Sequence, residues 1–470
     1  MADIIDTMKD IVGPAQVLTG ADTKPYRTDW TQNYPSDPDA VLRPGSTKEV
    51  SDILRAAHAA GVPVVPAAGR TGLTGGTQAN GQILLSLERM NRIREIRPDA
   101  RVASVEAGVI LQSMHEAAEA HDLVFPLTFG AKGSAMIGGV LATNAGGSNV
   151  VRYGNTRGLC LGLEVVLADG RVMDLMSELH KDNSGYPLKD LFIGAEGTLG
   201  IITAAVIKLF PKPAAYATAM VALNSLPDAL TLLNRLQTET GGAVEAFEFM
   251  PGRFMDKHRE MFPAAHPPFD TTHEINVMVE IAATAPADAT PDADGRVPIV
   301  ALFEDVLSGC LEEGLVRDAV VAKNEAQRRG MWERREQAAE LTFDRLPMIN
   351  HDVSVPLDKV DAFLRRMDQE LLTLDQGADS FYCAHLGDGN IHYTVYPNSQ
   401  DPAVHDAIVE RVEDVVLDLR GSFSAEHGIG LSKKASMLRR KDPVALDVMR
   451  AVKAALDPAN ILNPGKVLPD

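Results

Sequence analysis

The spacing of apolar residues predicts alternating strands and helices between about residue 40 and residue 212. The run that begins at Val50 has the three-to-four-residue apolar spacing of a helix, and Ser46 with Glu49 has the spacing of its capping box. Asp169-Gly170 is typical of a hairpin turn. Short apolar runs between glycine-rich turns indicate strands at residues 62–65, 83–87, 102–105 and 163–167.

A second region begins after Pro211 and Pro213, where the composition changes. It mixes strands, such as residues 218–223, with long helices. The clearest helical patterns cover residues 226–240 and 324–346. This mixture predicts a separate α+β domain.

The pattern divides the chain into three parts. We expect a first domain at residues 1–212, a second at 213–420, and a C-terminal segment at 421–470 that returns to the first domain. Within the second domain, residues 282–296 are rich in Ala, Pro and Asp and predict a mobile surface insertion.

Length and charge limit the classes of partner. A chain of 470 residues is too long for one hydrophobic core, which agrees with several domains. The formal net charge of -19 repels nucleic acid and anionic membranes, so we expect neither as a partner. A small anionic substrate is still compatible, because a local basic site can outweigh the distant field.

The sequence also bears on location. No apolar run is long enough to cross a bilayer, and the first residues resemble neither a secretory leader nor a transit segment. Cys160, Cys310 and Cys383 are far apart and predict reduced thiols. We expect a cytoplasmic protein, and the sequence leaves open both peripheral attachment to a membrane and a homodimer.

Three glycine-rich loops in the first domain predict a phosphate-binding site. The first covers residues 66–76, the second 130–147 and the third 194–202. Their glycines let backbone N–H groups turn toward one centre and approach it closely. The first loop has neither the GxGxxG helix opening nor the GxxxxGK[ST] motif. Three such loops therefore predict a dinucleotide site that is not a Rossmann site.

The segment from His385 to His392 carries the strongest signal of chemistry. Apolar runs on both sides of Asp388-Gly389 predict a hairpin with these two residues at its turn, and that pairing sets His385 opposite His392. Opposed residues on one sheet face have Cβ atoms about 5 Å apart. The two imidazoles therefore predict a shared metal ion.

A third metal ligand is needed, and Glu426 and His427 offer a carboxylate and an imidazole side by side between small residues. Taken alone, both residues also fit a solvent-exposed loop. A His₂Glu set with an open coordination position is a catalytic zinc arrangement. Iron and manganese accept the same ligands.

In their order along the chain, these motifs resemble the vanillyl-alcohol oxidase and p-cresol methylhydroxylase superfamily, and more closely its D-lactate and D-2-hydroxyglutarate dehydrogenase branch. The resemblance extends from Tyr26 to Lys466. It implies an α+β fold with a two-subdomain FAD-binding domain of the p-cresol methylhydroxylase type, an α+β substrate (cap) domain and a C-terminal segment that completes the active site. The first glycine loop has no His or Cys, so we expect non-covalent FAD.

The resemblance implies which residues contact FAD. They lie in the three loops, in the segment before the second loop and near the C-terminus: Pro66, Gly69, Arg70, Thr71, Gly72, Leu73, Gly75, Gly76, Pro126, Gly130, Gly133, Ser134, Gly138, Gly139, Asn144, Gly146, Glu196, Gly197, Gly200, Ile201, Ile202 and Asn463.

The resemblance also implies catalytic roles. Glu426 becomes the third metal ligand beside His385 and His392, His427 the catalytic base, and Arg335 the residue that binds the substrate carboxylate in a bidentate fork. The metal would lower the pKa of the substrate hydroxyl, His427 would take its proton, and the hydride would pass to the flavin. The implied reaction is oxidation of a D-2-hydroxy acid to the 2-keto acid.

Three positions depart from the D-2-hydroxyglutarate dehydrogenase pattern. Those enzymes hold the distal carboxylate with a Thr one helical turn after the substrate arginine and with a Lys before an Asp-x-Ser-x-Pro stretch. Here the two positions are Ala339 and Asn350, and a substrate-contacting Asn is replaced by Thr394. A distal cation is missing unless Arg334 or His351 supplies it. We therefore expect D-lactate or a similar monocarboxylate as substrate.

Other functions stay open at this point. The same chemistry fits D-2-hydroxyglutarate or D-malate as substrate. An O₂-using flavin alcohol oxidase and a non-catalytic flavoprotein subunit are alternatives of another class. For a dehydrogenase, the electron acceptor could be a quinone, an electron-transferring flavoprotein or a cytochrome.

Overall fold

A computed structural model of the chain describes residues 2–470, so Met1, at the start of the predicted first domain, lies outside the described residues. The chain forms two compact units. Unit 1 comprises the described residues up to Gly146, then Gly154–Pro211 and Glu426–Asp470, and unit 2 comprises Gly147–Tyr153 and Lys212–Ala425. The short segment at 147–153 thus belongs with the second unit, a feature absent from the division we drew from the sequence.

The helices of the described chain follow in order. They are α1 (Ala2–Val12), α2 (Thr47–Ala60), α3 (Leu111–Glu119), α4 (Ile137–Thr143), α5 (Val150–Tyr153), α6 (Thr156–Leu159), α7 (Lys189–Phe192), α8 (Leu226–Glu239), α9 (Gly252–Met261), α10 (Pro286–Ala289), α11 (Pro298–Glu312), α12 (Glu325–Glu336), α13 (Ala338–Thr342), α14 (Val360–Leu374), α15 (Pro402–Asp418), α16 (Lys434–Arg440) and α17 (Pro443–Leu456). Short 3₁₀ helices cover Pro14–Gln16, Gly20–Tyr26 and Leu357–Lys359. None of the helices within residues 2–470 is both long and apolar enough to span a membrane.

The strands complete the secondary structure. They are β1 (Val17–Leu18), β2 (Ala40–Leu42), β3 (Val64–Ala67), β4 (Ile83–Ser86), β5 (Ile93–Arg97), β6 (Val102–Glu106), β7 (Leu123–Val124), β8 (Cys160–Val166), β9 (Val172–Leu175), β10 (Ile201–Lys208), β11 (Phe210–Pro211), β12 (Ala215–Leu223), β13 (Val244–Pro251), β14 (Ile275–Ala283), β15 (Val316–Val321), β16 (Ile349–Ser354), β17 (Asp379–His385) and β18 (Asn390–Tyr396).

Unit 1 contains a four-stranded sheet, in the order β1-β2-β4-β3, and a five-stranded sheet, in the order β5-β6-β10-β8-β9; β11 pairs separately with β7. Helices α1 and α2 pack on the four-stranded sheet and share one apolar core with it. The predicted cap of α2 is confirmed, because the Ser46 hydroxyl accepts the Glu49 N–H at 3.2 Å. The helix ends at Gly61, whose φ of 62° favours glycine.

Unit 2 is built on a seven-stranded sheet in the order β15-β12-β14-β13-β17-β18-β16. All its strand pairs are antiparallel. One face packs its Val, Ile, Leu and Phe side chains against α8, α11, α14 and α15. The other face carries Met and Cys side chains under α9, α12 and α13. Because side chains alternate between faces along a strand, the candidate site residues of this sheet share the second face.

The helix predicted at residues 324–346 is wrong as a single element. It is divided at Gln337, where the backbone has φ -74° and ψ 3° and leaves the helical conformation. The Gln337 side chain is hydrogen-bonded to His258 of α9 at 2.8 Å, which ties the break to a neighbouring helix. No Gly or Pro marks this position in the sequence, so local pattern could not predict the break.

The hairpin predicted after residue 163 is confirmed. The N–H of Leu167 donates to the carbonyl oxygen of Arg171 at 2.9 Å and the N–H of Gly170 to that of Leu167 at 2.9 Å, so Asp169 and Gly170 lie in the turn. One smaller expectation needs correction. The segment expected to be a surface insertion begins later than predicted, because Ala282 and Ala283 still belong to β14.

Candidate functional site

The three glycine loops of unit 1 contact one another at points where a side chain would not fit. An ideal Cβ on Gly69, in the first loop, would lie 2.3 Å from the carbonyl oxygen of Ser134 in the second. A Cβ on Gly197, in the third loop, would lie 2.4 Å from Cγ of Pro66 in the first. Part of the glycine content is therefore explained by close packing of the loops.

Other glycines of these loops face open space. An ideal Cβ on Gly72, Gly130 or Gly133 would meet no heavy atom within 4 Å. Backbone at such positions can approach a ligand without a side chain between them. This open stretch fits a pyrophosphate bound by main-chain N–H groups.

Asn463 adds a polar group to the same loops. Its Nδ2 donates to the carbonyl oxygens of Gly76, at 3.0 Å, and Glu196, at 2.8 Å. Its Oδ1 is buried and has no hydrogen-bond partner among the described residues. A buried acceptor without a partner is costly, so Asn463 fits a ligand that donates a hydrogen bond here. By these two observations, the residues of the loops fit a dinucleotide cofactor.

The structure places every residue predicted to contact FAD in unit 1. Four non-glycine residues among them have positive φ, a conformation that clusters at functional sites: Arg70, Asn144, Glu196 and Asn463. The remaining predicted residues lie in the same loops: Pro66, Gly69, Thr71, Gly72, Leu73, Gly75 and Gly76 in the first, Pro126, Gly130, Gly133, Ser134, Gly138, Gly139 and Gly146 in or before the second, and Gly197, Gly200, Ile201 and Ile202 in the third.

The segment that contains His427 is held by two of the glycine loops. Both carboxylate oxygens of Glu196 accept backbone amides, from Ile429 at 2.7 Å and Gly430 at 2.9 Å. Burial raises the pKa of Glu196, although the two amides favour its charged form. The Thr74 hydroxyl donates to the carbonyl oxygen of His427 at 3.3 Å. These contacts fix the backbone on which His427 lies.

Glu426 precedes this segment and has two local constraints. An ideal Cβ on Gly146 would lie 2.6 Å from the Oε1 atom of Glu426, so the carboxylate lies directly against the second glycine loop. On the other side of Glu426 in the chain, the N–H of Ala425 donates to the carbonyl oxygen of Asp352 at 3.1 Å. Substitution of Gly146 by any other residue would therefore displace the Glu426 side chain.

The predicted pairing of the histidine hairpin is wrong by two residues. His385 is paired with Asn390, and Cys383 is the residue opposite His392. The N–H groups of Asp388 and Gly389 both donate to the carbonyl oxygen of His385, which closes a four-residue loop instead of a two-residue turn. Because side chains alternate along a strand, a shift of two residues keeps both histidines on one face. Their rings lie 5.2 Å apart, edge to face.

A buried carboxylate holds two of the predicted residues. Glu248 of β13 is paired with His385 in the sheet, and its Oε1 lies 2.8 Å from His385 Nδ1. Its Oε2 accepts a hydrogen bond from Arg335 Nε at 2.7 Å. Burial raises the pKa of Glu248, but its interactions with His385 and Arg335 outweigh this effect and lower the pKa below its ordinary value. The Nη2 atom of Arg335 lies 3.4 Å from His385 Nε2.

Candidate metal ligands form one pair in each unit. Ligand atoms of Asp352 and His392 lie within 4.8 Å of each other in unit 2, and so do those of Glu426 and His427 in unit 1. His385 is in neither pair. Each pair has one imidazole and one carboxylate, donors that a divalent transition metal accepts. Asp352 also accepts a hydrogen bond from Asn390 Nδ2 at 2.9 Å.

The residues predicted to bind the far end of the substrate lie partly on the same sheet face. Asn350 and Thr394 are directly opposite each other on β16 and β18, and the Thr394 hydroxyl donates to Asn350 Oδ1 at 3.2 Å. Ala339 lies on α13. Of the two residues considered as substitute cations, His351 alternates to the opposite face, 6.5 Å from the Tyr393 ring, and Arg334 lines a cavity whose lining contains neither Asn350 nor Thr394.

Glu248 and Asp352 were missed as site residues. Glu248 is 137 residues away from His385 in the sequence, so no local spacing connects the two. Asp352 is only 2% exposed, and a buried carboxylate must be paired or hydrogen-bonded, but Asn350 and Ser354 on the same strand face are also polar, so no pattern in the sequence indicated this burial.

Sequence comparisons identify relatives along nearly the whole chain. The family of FAD linked oxidases, C-terminal domain, matches residues 212–467, and the FAD binding domain matches residues 38–176. The D-2-hydroxyglutarate dehydrogenase of Xanthomonas citri pv. viticola is 37% identical over 453 residues, which cover 95% of this chain and 93% of that protein. The mitochondrial D-2-hydroxyglutarate dehydrogenase of Bos taurus is 36% identical, over 97% of this chain and 82% of its own length.

Structural comparisons confirm the predicted fold. A crystal structure of p-cresol methylhydroxylase with substrate bound has a TM-score of 0.74 at 18% identity, and covers 99% of this chain and 96% of that chain. The 4-ethylphenol oxidase from Gulosibacter chungangensis has a TM-score of 0.70 at 20% identity, over 100% and 97% of the two chains. The α+β fold of the p-cresol methylhydroxylase type is therefore correct.

Proposed function

This chain belongs to the family of FAD-linked oxidases and is an FAD-dependent oxidoreductase, and we propose that it oxidises a small D-2-hydroxy acid, preferably a monocarboxylate such as D-lactate, to the 2-keto acid. The observation that carries the proposal is the Glu248–His385–Arg335 network. The network holds Arg335, which can recognise a carboxylate, beside His385, which is a candidate metal ligand. A 2-hydroxy acid carries its carboxylate and hydroxyl on adjacent carbons, as this arrangement requires.

Arg335 is proposed to bind the substrate carboxylate. Arg335 is only 8% exposed, and Glu248 holds its guanidinium through Nε, which leaves its position defined before substrate arrives. A planar guanidinium binds a carboxylate through two parallel hydrogen bonds and so fixes its orientation. Pre-organisation of this kind reduces the entropy lost on binding.

His385, His392 and Glu426 are proposed to hold a divalent metal ion, with zinc as the match to a His₂Glu set. The hydrogen bond from His385 Nδ1 to Glu248 leaves Nε2 as the nitrogen with the lone pair, the orientation usual for a metal-bound histidine. Asp352 is the competing ligand, although its carboxylate already accepts a hydrogen bond from Asn390. The metal, when bound, supplies a Lewis acid that lowers the pKa of the substrate hydroxyl.

His427 is proposed to take the proton from that hydroxyl. Its ring nitrogen lies within 4.8 Å of a carboxylate oxygen of Glu426, and its backbone is fixed through Thr74. A general base held at hydrogen-bond distance typically contributes about 10²–10⁴-fold to the rate. FAD, when bound to the glycine loops, supplies the hydride acceptor.

The proposed preference for a monocarboxylate rests on Asn350 and Thr394. These side chains hydrogen-bond to each other, and neither carries a positive charge. The relatives named above are D-2-hydroxyglutarate dehydrogenases, whose substrate has a second carboxylate. At this place the second carboxylate would have no cation to bind it, and the loss would fall on dicarboxylates alone.

Anaerobic reduction of the flavin tests this function. Purified holoenzyme would be mixed without oxygen with D- and L-lactate, D-2-hydroxybutyrate, D-malate and D-2-hydroxyglutarate, and the loss of flavin absorbance would be followed. We expect bleaching by the D acids, fastest with D-lactate or D-2-hydroxybutyrate. Absence of bleaching with all of them would favour a non-catalytic flavoprotein. Rapid reoxidation in air would instead indicate an oxidase.

A further inference from the structure

A cavity with a mixed polar and apolar lining lies in unit 2, apart from the residues proposed for catalysis. It is partly open to solvent. Its lining combines cationic or hydrogen-bonding groups with apolar ones. The polar lining includes Arg334, Arg259, His258, His273 and Asn276, and none of the described lining residues is acidic.

Arg334 is the unusual member of this lining. It is only 5% exposed, and its one hydrogen bond within residues 2–470 goes from Nη2 to the carbonyl oxygen of His266, at 2.6 Å. It forms no salt bridge with any residue that the structure describes. Burial therefore lowers the pKa of Arg334, with no neighbouring carboxylate to oppose the effect. The adjacent Arg335, by contrast, has Glu248 as its counter-ion.

The other ionisable groups of the cavity already have partners. His258 is bonded to Gln337, and Arg259 lies 3.4 Å from Asp256. His273 lies 3.8 Å from Asp318. The uncompensated charge in the cavity is therefore that of Arg334. A buried charge without a counter-ion is strongly unfavourable, and a bound anion would remove that penalty.

We propose that this cavity is a second, non-catalytic binding site for a small carboxylate anion, with Arg334 as its principal contact. The guanidinium matches the two oxygens of a carboxylate. Thr271 and Thr272 add hydroxyl groups to the lining, and Phe269 and Pro268 provide an apolar wall for a short hydrocarbon tail. Inorganic phosphate has no such tail, so we expect the site to prefer a carboxylate.

This site is distinct from the proposed catalytic one, although the two share a helix. Successive residues on a helix point about 100° apart, so Arg334 and Arg335 face different sides of α12. The cavity lining contains neither Arg335 nor the two histidines of the hairpin. Occupancy of the cavity is therefore independent of the reaction proposed above.

Thermal denaturation of the holoenzyme tests the proposal. Sodium acetate would be titrated against sodium chloride at constant ionic strength, and inorganic phosphate would be titrated in parallel. We expect acetate to raise Tm saturably by about 2–4 °C and phosphate to have a smaller effect. Arg334→Met should abolish the acetate effect. Arg329→Met, which removes an exposed arginine of the same helix that is outside the cavity lining, is the matched control and should retain it.

The sign of the mutation's own effect distinguishes a binding site from a structural role. If the charge of Arg334 awaits an anion, Arg334→Met should raise Tm in acetate-free buffer, because it removes an uncompensated buried charge. A lower Tm in that buffer, an acetate effect that persists in Arg334→Met, or no saturable effect in the wild type would each overturn the proposal.

If Arg334→Met does not fold, Arg334→Lys should fold and show at least tenfold weaker acetate binding, and unchanged binding would likewise overturn it. Tighter binding of phosphate would overturn the assigned ligand class. Flavin bleaching by D acids is not expected to depend on any of these outcomes.

Discussion

Glu248 lies 2.8 Å from the Nδ1 atom of His385, and a carboxylate at that position assigns the ring proton to Nδ1. His385 Nε2 then carries the lone pair and lies 3.4 Å from Nη2 of Arg335. The same carboxylate is the counter-ion of Arg335. One buried residue thus orients both a candidate metal ligand and the proposed substrate arginine.

The substitution Glu248→Gln should disturb both the candidate metal ligand His385 and the proposed substrate arginine Arg335. We expect metal affinity to fall about 10–100-fold, as for other residues that orient a metal ligand. We also expect the free energy of unfolding to fall by about 3–5 kcal/mol, because Arg335 would keep a buried charge without its partner. Elemental analysis after dialysis against a weak chelator, and urea denaturation, would measure the two effects.

Glu245→Gln is the matched control for that experiment. Glu245 is a buried carboxylate on the same strand, bonded to Arg152 and Tyr153 away from the histidines. Its substitution should lower stability and leave metal content unchanged. Equal metal retention by Glu248→Gln and wild type would show that Glu248 does not support a metal site.

His427→Ala should slow anaerobic flavin reduction by about 10²–10⁴-fold, because the substrate hydroxyl would lose its proton acceptor. Bound FAD and bound metal should stay at wild-type levels. Stopped-flow absorbance would give the reduction rate. His405→Ala, which removes a histidine that contacts the carbonyl oxygen of Ser399, should reduce flavin at the wild-type rate. A normal rate in His427→Ala would place the base elsewhere.

The flavin should be released when the protein is denatured. The first glycine loop contains no His or Cys, and Cys160, the one cysteine of unit 1, is buried, with its pKa raised by burial to about 12. A buried thiol held in its protonated form is a poor nucleophile for covalent attachment. Acid precipitation should therefore leave the yellow colour in the supernatant, whereas a yellow pellet would contradict non-covalent binding.

Because Lys466 is buried, we expect the free energy of unfolding to rise at alkaline pH. Burial, and to a smaller extent the charge of Lys434, lowers the pKa of Lys466 from 10.5 to about 8. Between these two values the unfolded chain holds a proton that the folded chain has released, so the free energy of unfolding increases with pH. Denaturation at pH 7.5, 8.5 and 9.5 should show this increase. Lys466→Met should reduce it, and an identical slope in the variant would exclude Lys466 as its source.

Local patterns were sufficient where neighbouring residues decide the structure. Ser46 and Glu49 are three residues apart and form the predicted cap. The histidine hairpin shows the limit of such patterns, because Asp388-Gly389 favours a two-residue turn but does not exclude the four-residue loop. The predicted pairing was wrong by two residues, which is the side-chain period of a strand, so His385 and His392 still lie on one face.

Long-range partners were beyond reach from the sequence. Glu248 has no spacing relation to His385, and only the pairing of β13 with β17 brings the two together. The break at Gln337 has the same origin, because its partner His258 is 79 residues away. The glycine loops were the opposite case, because open positions such as Gly72 and closely packed positions such as Gly69 look alike in a sequence and differ only in the fold.

The choice of substrate is the prediction that depends most directly on single side chains. Asn350 and Thr394 form a neutral, hydrogen-bonded pair across β16 and β18, and the cations considered as substitutes face elsewhere. A second substrate carboxylate would have no charged partner there, so wild-type kcat/KM should be higher for D-lactate than for D-2-hydroxyglutarate.

Asn350 is exposed, so a longer side chain can be accommodated at the position. Asn350→Lys should raise kcat/KM for D-2-hydroxyglutarate about tenfold, or about 1.4 kcal/mol in transition-state terms. Asn350→Met, of similar length without the charge, should give no such gain. A wild-type enzyme that prefers D-2-hydroxyglutarate by tenfold or more would show that another group binds the distal carboxylate.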